Sequence, residues 1–257
     1  MTTYLDKIIA AHRSKIDVRD ADLLFEEAKN ITLIGNFKEA VGKPSEMAII
    51  AEFKKRSPSR GDILLAADID EVVLAYEAGG AECISILTDQ EFFGGSLEDL
   101  KKARRISSIP ILRKDFTVRI QDIYDAKIAG ANAILLIVAA LNDSEINKFI
   151  EVADSVDLEC LVEVHDELEL KRALDNGARV VGVNQRDLHT FEVNRERAVE
   201  IAPSIPDGIL KIAESGITGV DDVLRLKEAG YDAVLIGEYL MRSPDKVKAI
   251  RDLLHSG

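Results

Sequence analysis

Met47-Ala48-Ile49-Ile50-Ala51-Glu52-Phe53-Lys54 reads as an apolar run that ends in an acid and an amine. The pattern recurs along the chain. Ile109–Leu112 runs into Arg113, Lys114 and Asp115, Leu158–Val162 stops at Glu163, Val180–Val183 at Asn184, and Ile209–Ala213 at Glu214. Ile84–Leu87, Ala133–Ala139 and Ala233–Ile236 complete a set of eight. Strands covered on both faces are apolar throughout, and amphipathic stretches of helical length separate these runs, which together indicate a parallel sheet. Eight such units predict an α/β fold, a single (β/α)8 TIM barrel, with its chemistry at the C-terminal ends of the strands. The polar residues that end the runs are therefore the candidate site.

The expected strands span about 47–54, 82–87, 110–114, 133–138, 159–164, 180–184, 210–214 and 233–236. Helices are expected near 68–79, from Ser96, and near 120–129, 143–155, 166–176, 194–202, 219–229 and 244–254. Gly130, Gly177 and Gly230, each just before a strand, are natural helix stops. Residues 1–46 precede the first strand. There Leu5, Ile8, Ile9 and Ile16 predict an amphipathic helix, Ala21–Lys29 and Phe37–Val41 two shorter ones, and Pro44 and Ser45 close the segment. A barrel does not need this segment. Residues 1–46 are expected to be a helical extension over one rim of the barrel of residues 47–257, in one structural domain.

The length of 257 residues matches the roughly 250 typical of such barrels, and no Pro/Gly/Ser-rich linker divides the chain. A formal net charge of −13 argues against a nucleic-acid partner, which calls for a basic footprint. It leaves room for a local basic patch that draws a small anion into a cleft. Cys83 and Cys160 lie inside apolar runs and read as buried, reduced thiols. His12 and His255 are near the ends, His165 follows Glu163, and His189 is in a loop; no two have ligand spacing, so no metal is expected. No apolar run reaches the about 18 residues of a membrane helix, and the N-terminus is charged where a signal peptide is apolar. A cytoplasmic enzyme without a membrane partner is expected.

Side chains alternate faces along a strand, so Ile50, Glu52 and Lys54 share one face, as do Leu112 with Lys114 and Leu161 with Glu163. Several strands thus aim acids and amines at one cavity, where such groups shift one another's pKa values. The loop Lys54-Lys55-Arg56-Ser57-Pro58-Ser59-Arg60-Gly61 is cationic and rich in hydroxyls, which suits a phosphate or carboxylate; Lys55 and Arg60 are expected to be solvated. Glu214-Ser215-Gly216-Ile217 and Ile236-Gly237-Glu238 follow the seventh and eighth runs. Loops at those places commonly hold a phosphate on backbone N–H groups. Glu238 fits if its N–H donates while its side chain turns away.

In order, these residues resemble the indole-3-glycerol phosphate synthase family, from about residue 34 to the C-terminus. The resemblance rests on Ile50-Ala51-Glu52-Phe53-Lys54 with Ser57-Pro58-Ser59, on Leu87-Thr88-Asp89 with Phe92-Phe93-Gly94-Gly95-Ser96, and on Leu112-Arg113-Lys114-Asp115-Phe116. Leu161-Val162-Glu163-Val164-His165, Asn184-Gln185-Arg186-Asp187-Leu188 and Glu214-Ser215-Gly216-Ile217 extend it. It implies closure of an indole ring from 1-(2-carboxyphenylamino)-1-deoxyribulose 5-phosphate with loss of CO2 and water, without metal or organic cofactor, as one step of tryptophan biosynthesis. It implies Lys114 as the general acid for the ketone oxygen, Glu163 and Lys54 in the later proton transfers, and Glu52, Asn184 and Ser215 around them. Phosphate falls to Lys54, Ser57, Ser215, Gly216, Gly237 and Glu238, and the aryl carboxylate to Arg186 and Asn184. Phe93, Phe116, Leu135 and Leu188 would wall the aromatic ring, with Glu214 also contacting substrate. Two features depart from the family: Gln185 stands where Asn is common, and the chain has no Trp, so an aromatic often found in the N-terminal helix is missing.

A phosphosugar barrel of another kind, such as a phosphoribosylanthranilate isomerase, is the nearest rival, but its Cys and Asp acid–base pair is not matched. A non-catalytic barrel that senses a phosphometabolite is the rival from another class, and intact Lys54, Lys114 and Glu163 oppose it. The expected state is a monomer whose only partner is the small-molecule substrate.

Overall fold

The computed structural model describes residues 3–15, 19–42, 47–58 and 61–254. Ile16, Pro44, Ser45, Ser59, Arg60 and His255, which entered the sequence reading, lie outside the described residues. Eight strands form a closed parallel barrel: β1 (Ala48–Phe53), β2 (Cys83–Leu87), β3 (Ile111–Lys114), β4 (Ala133–Ile137), β5 (Glu159–Val164), β6 (Val180–Asn184), β7 (Leu210–Glu214) and β8 (Ala233–Ile236). Closure comes at β1, which pairs with β2 through Glu52 opposite Ser85 and with β8 through Ala51 opposite Ile236.

Three helices precede the barrel: α1 (Tyr4–Arg13), α2 (Ala21–Lys29) and α3 (Phe37–Val41). The outer layer is α4 (Ile69–Gly79), α5 (Leu97–Ile106), α6 (Ile120–Ala129), α7 (Asp143–Asp154), α8 (Glu167–Asp175), α9 (Arg197–Ile201), α10 (Val220–Glu228), α11 (Glu238–Arg242) and α12 (Lys246–Leu254). Local chemistry sets their ends. Ser96 caps α5 by accepting from the Asp99 N–H, and Asp166 caps α8 by accepting from Glu169. Gly130 closes α6 at φ 101°, a conformation that costs an L side chain dearly. Two helices differ from expectation. The one expected near 194–202 is α-helical only over Arg197–Ile201: Asn194 is tied back to the Gln185 carbonyl before the helix starts, and at Pro203 the chain tightens into a 3-10 turn. The short α11 starts directly after Gly237 and carried no periodicity long enough to be seen.

Alternation along the strands divides the core in two. Ile49, Ala51 and Phe53 face the helices, while Ile50 points inward with Leu112, Leu135, Leu161, Ile212 and Leu235. That inner apolar layer fills the barrel beneath the charged residues. Phe37 and Val41 of α3 are fully buried against it and plug the end where the strands begin. There the Asn132 side chain donates to the carbonyls of Ile34 and Gly35. At the opposite end Tyr4 of α1 packs edge-on against Phe92 and Phe191, 5.7 and 5.1 Å away. The N-terminal segment therefore touches both ends of the barrel and not one rim, because its two apolar helix faces are separated by α2, which packs outside on α6. Both cysteines are buried and neither is in a disulfide; burial pushes the Cys160 thiol up. Among the described residues no helix is long and apolar enough to cross a membrane.

Candidate active site

A cavity of about 770 Å³ opens where the strands end. Glu52, Lys54, Lys114, Glu163, Asn184 and Glu214 line it, each at or just past the end of its strand. Ser57, Ser215, Gly216, Gly237 and Glu238 line it as well, and so do Phe93, Phe116, Leu135, Arg186 and Leu188. The fold thus gathers the residues assigned to catalysis, phosphate and substrate into one space, while Arg113, next to Lys114, turns away to Thr88, Asp115 and the Asp122 carbonyl.

Lys114 is the electrostatic centre. Its Nζ lies 3.3 Å from Glu163 Oε2 and 3.4 Å from Glu214 Oε2. Both carboxylate side chains are only 1% exposed. Burial alone would pull the lysine pKa down, but Glu214, Glu163 and Glu52 outweigh it and hold the ammonium above the usual range. Glu163 also resists the upward push of burial: Lys114, His165 and Asn184 keep it below the usual carboxylate range. Glu214 goes the other way. Burial raises it, Lys114 opposes, and the nearby Glu163 charge reinforces the rise. Glu214 turns inward toward Gly182, and its buried oxygens have no partner beyond the Lys114 ammonium, 3.4 Å from Oε2. Gly182, which the sequence reading passed over, makes this possible, since a Cβ there would overlap Glu214 Oε1. A second pair, Glu52 and Lys54, sits at 2.5 Å on the end of β1.

The anion-binding candidates surround this centre. Ser57 lies in a two-stranded ribbon, Arg56–Ser57 with Gly61–Asp62, and Arg56 donates to the carbonyls of Gln90 and Glu91. Ser215 and Gly216 both have positive φ, 65° and 75°, and form a tight turn after β7. The Gln185 amide donates to the Ser215 carbonyl at 2.7 Å, so glutamine at this position braces the turn. The Glu238 carboxylate accepts from Arg242 at 3.2 Å, which turns that side chain toward its own helix. Arg195 and Arg242 also line the cavity; isolated arginines in a polar stretch gave no signal in the sequence. Lys55 is not merely solvated. Its ammonium is 3.0 Å from Asp99 Oδ2 and 5.5 Å from the centre of the Phe53 ring, because α5 brings Asp99 beneath it.

His12 is the largest omission of the sequence reading. It is 3% exposed, and its Nε2 lies 2.9 Å from Asp89 Oδ2 and 3.9 Å from Asp115 Oδ1. The ligand atoms of these three residues lie within 4.8 Å of one another, a grouping that sequence spacing could not reveal. The carboxylates are otherwise engaged. Asp89 Oδ1 accepts from the Phe92 and Phe93 N–H groups, and Asp115 accepts from Phe116 N–H, Thr88 and Arg113. Arg113 and those donors outweigh burial and hold Asp115 low. The cluster is a brace that fixes α1 and the backbone beneath Phe93 and Phe116. His12→Ala leaves Asp89 Oδ2 buried without its partner, and a loss of about 1–3 kcal/mol in unfolding free energy is expected. A urea midpoint that falls without change in slope would show it; an unmoved midpoint would remove the brace.

Comparison with known proteins bears on the fold and the family. Similar folds include 3-hexulose-6-phosphate synthase (TM-score 0.64, 11% identity, 82% of this chain and 99% of that one). Another is thiamine phosphate pyrophosphorylase from Pyrococcus furiosus (0.59, 19%, 80% and 93%). At such identities only the fold is shared. In sequence the chain is 45% identical to the indole-3-glycerol phosphate synthase of Mycolicibacterium vanbaalenii, over 99% of this chain and 95% of that protein. It is 44% identical to that of Rhodococcus opacus, over 99% and 96%. The family profile described as indole-3-glycerol phosphate synthase matches residues 5–253. The protein, with its barrel and its charged cavity, thus belongs to the indole-3-glycerol phosphate synthase family.

Proposed function

We propose that this cavity closes the indole ring of 1-(2-carboxyphenylamino)-1-deoxyribulose 5-phosphate, losing CO2 and water to give indole-3-glycerol phosphate in tryptophan biosynthesis. The observation that carries the reading is the Lys114 ammonium, held between two buried carboxylates beside an apolar wall of Phe93, Phe116, Leu135 and Leu188. In the first step the aryl carbon bearing the carboxylate attacks the ketone carbon while Lys114 protonates the ketone oxygen. Carbon dioxide then leaves with its bonding pair returning to the ring, which restores aromaticity. The hydroxyl made in the first step leaves as water after taking a proton, and the methylene carbon beside nitrogen gives up its proton to form the second ring double bond.

Glu163 and Lys54 serve these last two transfers. Glu163 enters as a base because its neighbours keep it ionised. Glu52 orients Lys54, and Asn184 and Ser215 orient groups about the reacting carbons. Glu214 accepts from the sugar hydroxyls, which would supply its missing donors. Ser57, Lys54 and the backbone at Ser215, Gly216, Gly237 and Glu238 hold phosphate, and Arg186 and Asn184 lie against the aryl carboxylate.

Every one of these groups comes from a single chain, so a monomer suffices, acting in the cytoplasm on a small molecule and without nucleic acid. Neither cysteine lines the cavity, which counts against the isomerase alternative. The chemistry asks for side-chain acids and bases alone. Protein dialysed exhaustively against EDTA is therefore expected to form indole-3-glycerol phosphate from the substrate, seen as a rise in ultraviolet absorbance with one CO2 released per turnover. Activity lost to EDTA and restored by a divalent metal would overturn this reading, and so would tight binding of substrate without turnover.

A further inference from the structure

His165 follows the catalytic strand β5, and neither its role nor that of Glu169 is contained in the reaction above. Its ring stands between two carboxylates. Nδ1 is 3.0 Å from Glu169 Oε2 on α8, which also accepts the His165 backbone N–H at 2.8 Å. Nε2 is 3.5 Å from Glu163 Oε1. Glu163 Oε1 and His165 Nε2 are both buried without a hydrogen-bond partner, and they face each other across that 3.5 Å. A neutral imidazole has one N–H and can serve only one of its two carboxylates. A doubly protonated ring serves both and leaves no orphan.

We propose that His165 is a positioning residue for Glu163: as an imidazolium bridging Glu169 and Glu163, it orients the Glu163 carboxylate and keeps it ionised. Glu163 is then gripped on both sides, Oε1 by His165 and Oε2 by Lys114. The charged groups facing the ring are Glu163 on β5, Glu169 on α8 and Arg197 on α9. Burial and Arg197 disfavour the charged ring, but the two carboxylates prevail, and its pKa lies above the usual histidine range. The arrangement repeats a familiar logic, in which a carboxylate fixes one ring nitrogen so that the other acts on the catalytic group.

The inference rests on the proposed role of Glu163, so the test has two arms. The chain has four histidines, few enough for long-range proton–nitrogen NMR, with His165→Gln and His165→Asn assigning the ring. In the wild type the His165 ring is expected to be doubly protonated at about pH 7.5, above the ordinary value of about 6.5. Its midpoint is expected to fall by on the order of one pH unit in Glu163→Gln, where the facing charge is gone. A neutral ring at that pH, or a midpoint that Glu163→Gln leaves unmoved, overturns the proposal. In the kinetic arm, His165→Gln removes the charge and keeps a donor. The acid limb of kcat is expected to move up by on the order of one pH unit, since Glu163 then protonates more readily. A lowered plateau with an unmoved limb would mean a merely structural role. Wild-type turnover by Glu163→Gln would instead remove the catalytic role of Glu163, and the two failures are told apart by that variant alone.

Discussion

Lys114→Ala is expected to lose about 10²–10⁴-fold in kcat, the contribution of a positioned general acid. KM should change far less, because the phosphate contacts come from other loops. The loss has two parts. The proton donor to the ketone oxygen is gone, and Glu163 and Glu214, both 1% exposed, lose the cation they share. Glu214 is already pushed upward with the cation present, and without it Glu163 rises as well, which weakens the base needed later. Removing one partner of a buried pair also costs about 3–5 kcal/mol of stability, so circular dichroism should accompany steady-state kinetics. Turnover near that of the wild type in the folded variant would refute the assignment of Lys114.

Gly237→Val is expected to damage both binding and chemistry. The glycine lies between the phosphate candidates and the Glu52–Lys54 pair, and even a Cβ there would overlap Glu52 Oε1 and come within 3.2 Å of Lys54 Nζ. Valine therefore crowds the backbone N–H groups and forces the pair apart. KM should rise and kcat should fall, with the phosphate inhibition constant raised by about tenfold for each charged hydrogen bond lost. Ser57→Ala is the milder comparison. It removes one hydroxyl and should cost roughly 0.5–3 kcal/mol, with kcat nearly kept. Titrating inorganic phosphate against the three folded proteins decides the matter, and equal inhibition constants would place the anion site elsewhere.

What could be read from sequence followed from periodicity and strand ends. Two-sided burial keeps the strands largely apolar, so Glu52, Lys114, Glu163, Asn184 and Glu214 stood out at the ends of apolar runs. The turns proposed to hold phosphate showed as glycines after the seventh and eighth strands. What stayed hidden depended on contacts between distant segments. Asp89 is 77 residues from His12, and only the docking of α1 on the catalytic end joins them. Gly182 looked like an ordinary strand residue until Glu214 of the neighbouring strand was seen to fill its missing side chain. Lys55 read as one more charge in a basic loop because nothing local announced Asp99. The helix after β6 was overestimated because Asn194, Arg195 and Glu196 mimic a first turn that the chain spends before the helix starts at Arg197.

The most direct test of the account is a crystal structure with the substrate bound to Lys114→Ala, or with indole-3-glycerol phosphate bound to the wild type. The expected complex has the phosphate on Ser57 and the N–H groups of Gly216 and Gly237, and the aromatic ring between Phe93 and Phe116. Sugar hydroxyls should donate to Glu214, and in the substrate complex the ketone oxygen should face the position that Lys114 Nζ occupies in the wild type. A phosphate held away from both glycine turns, or a ketone oxygen directed away from that lysine position, would contradict it.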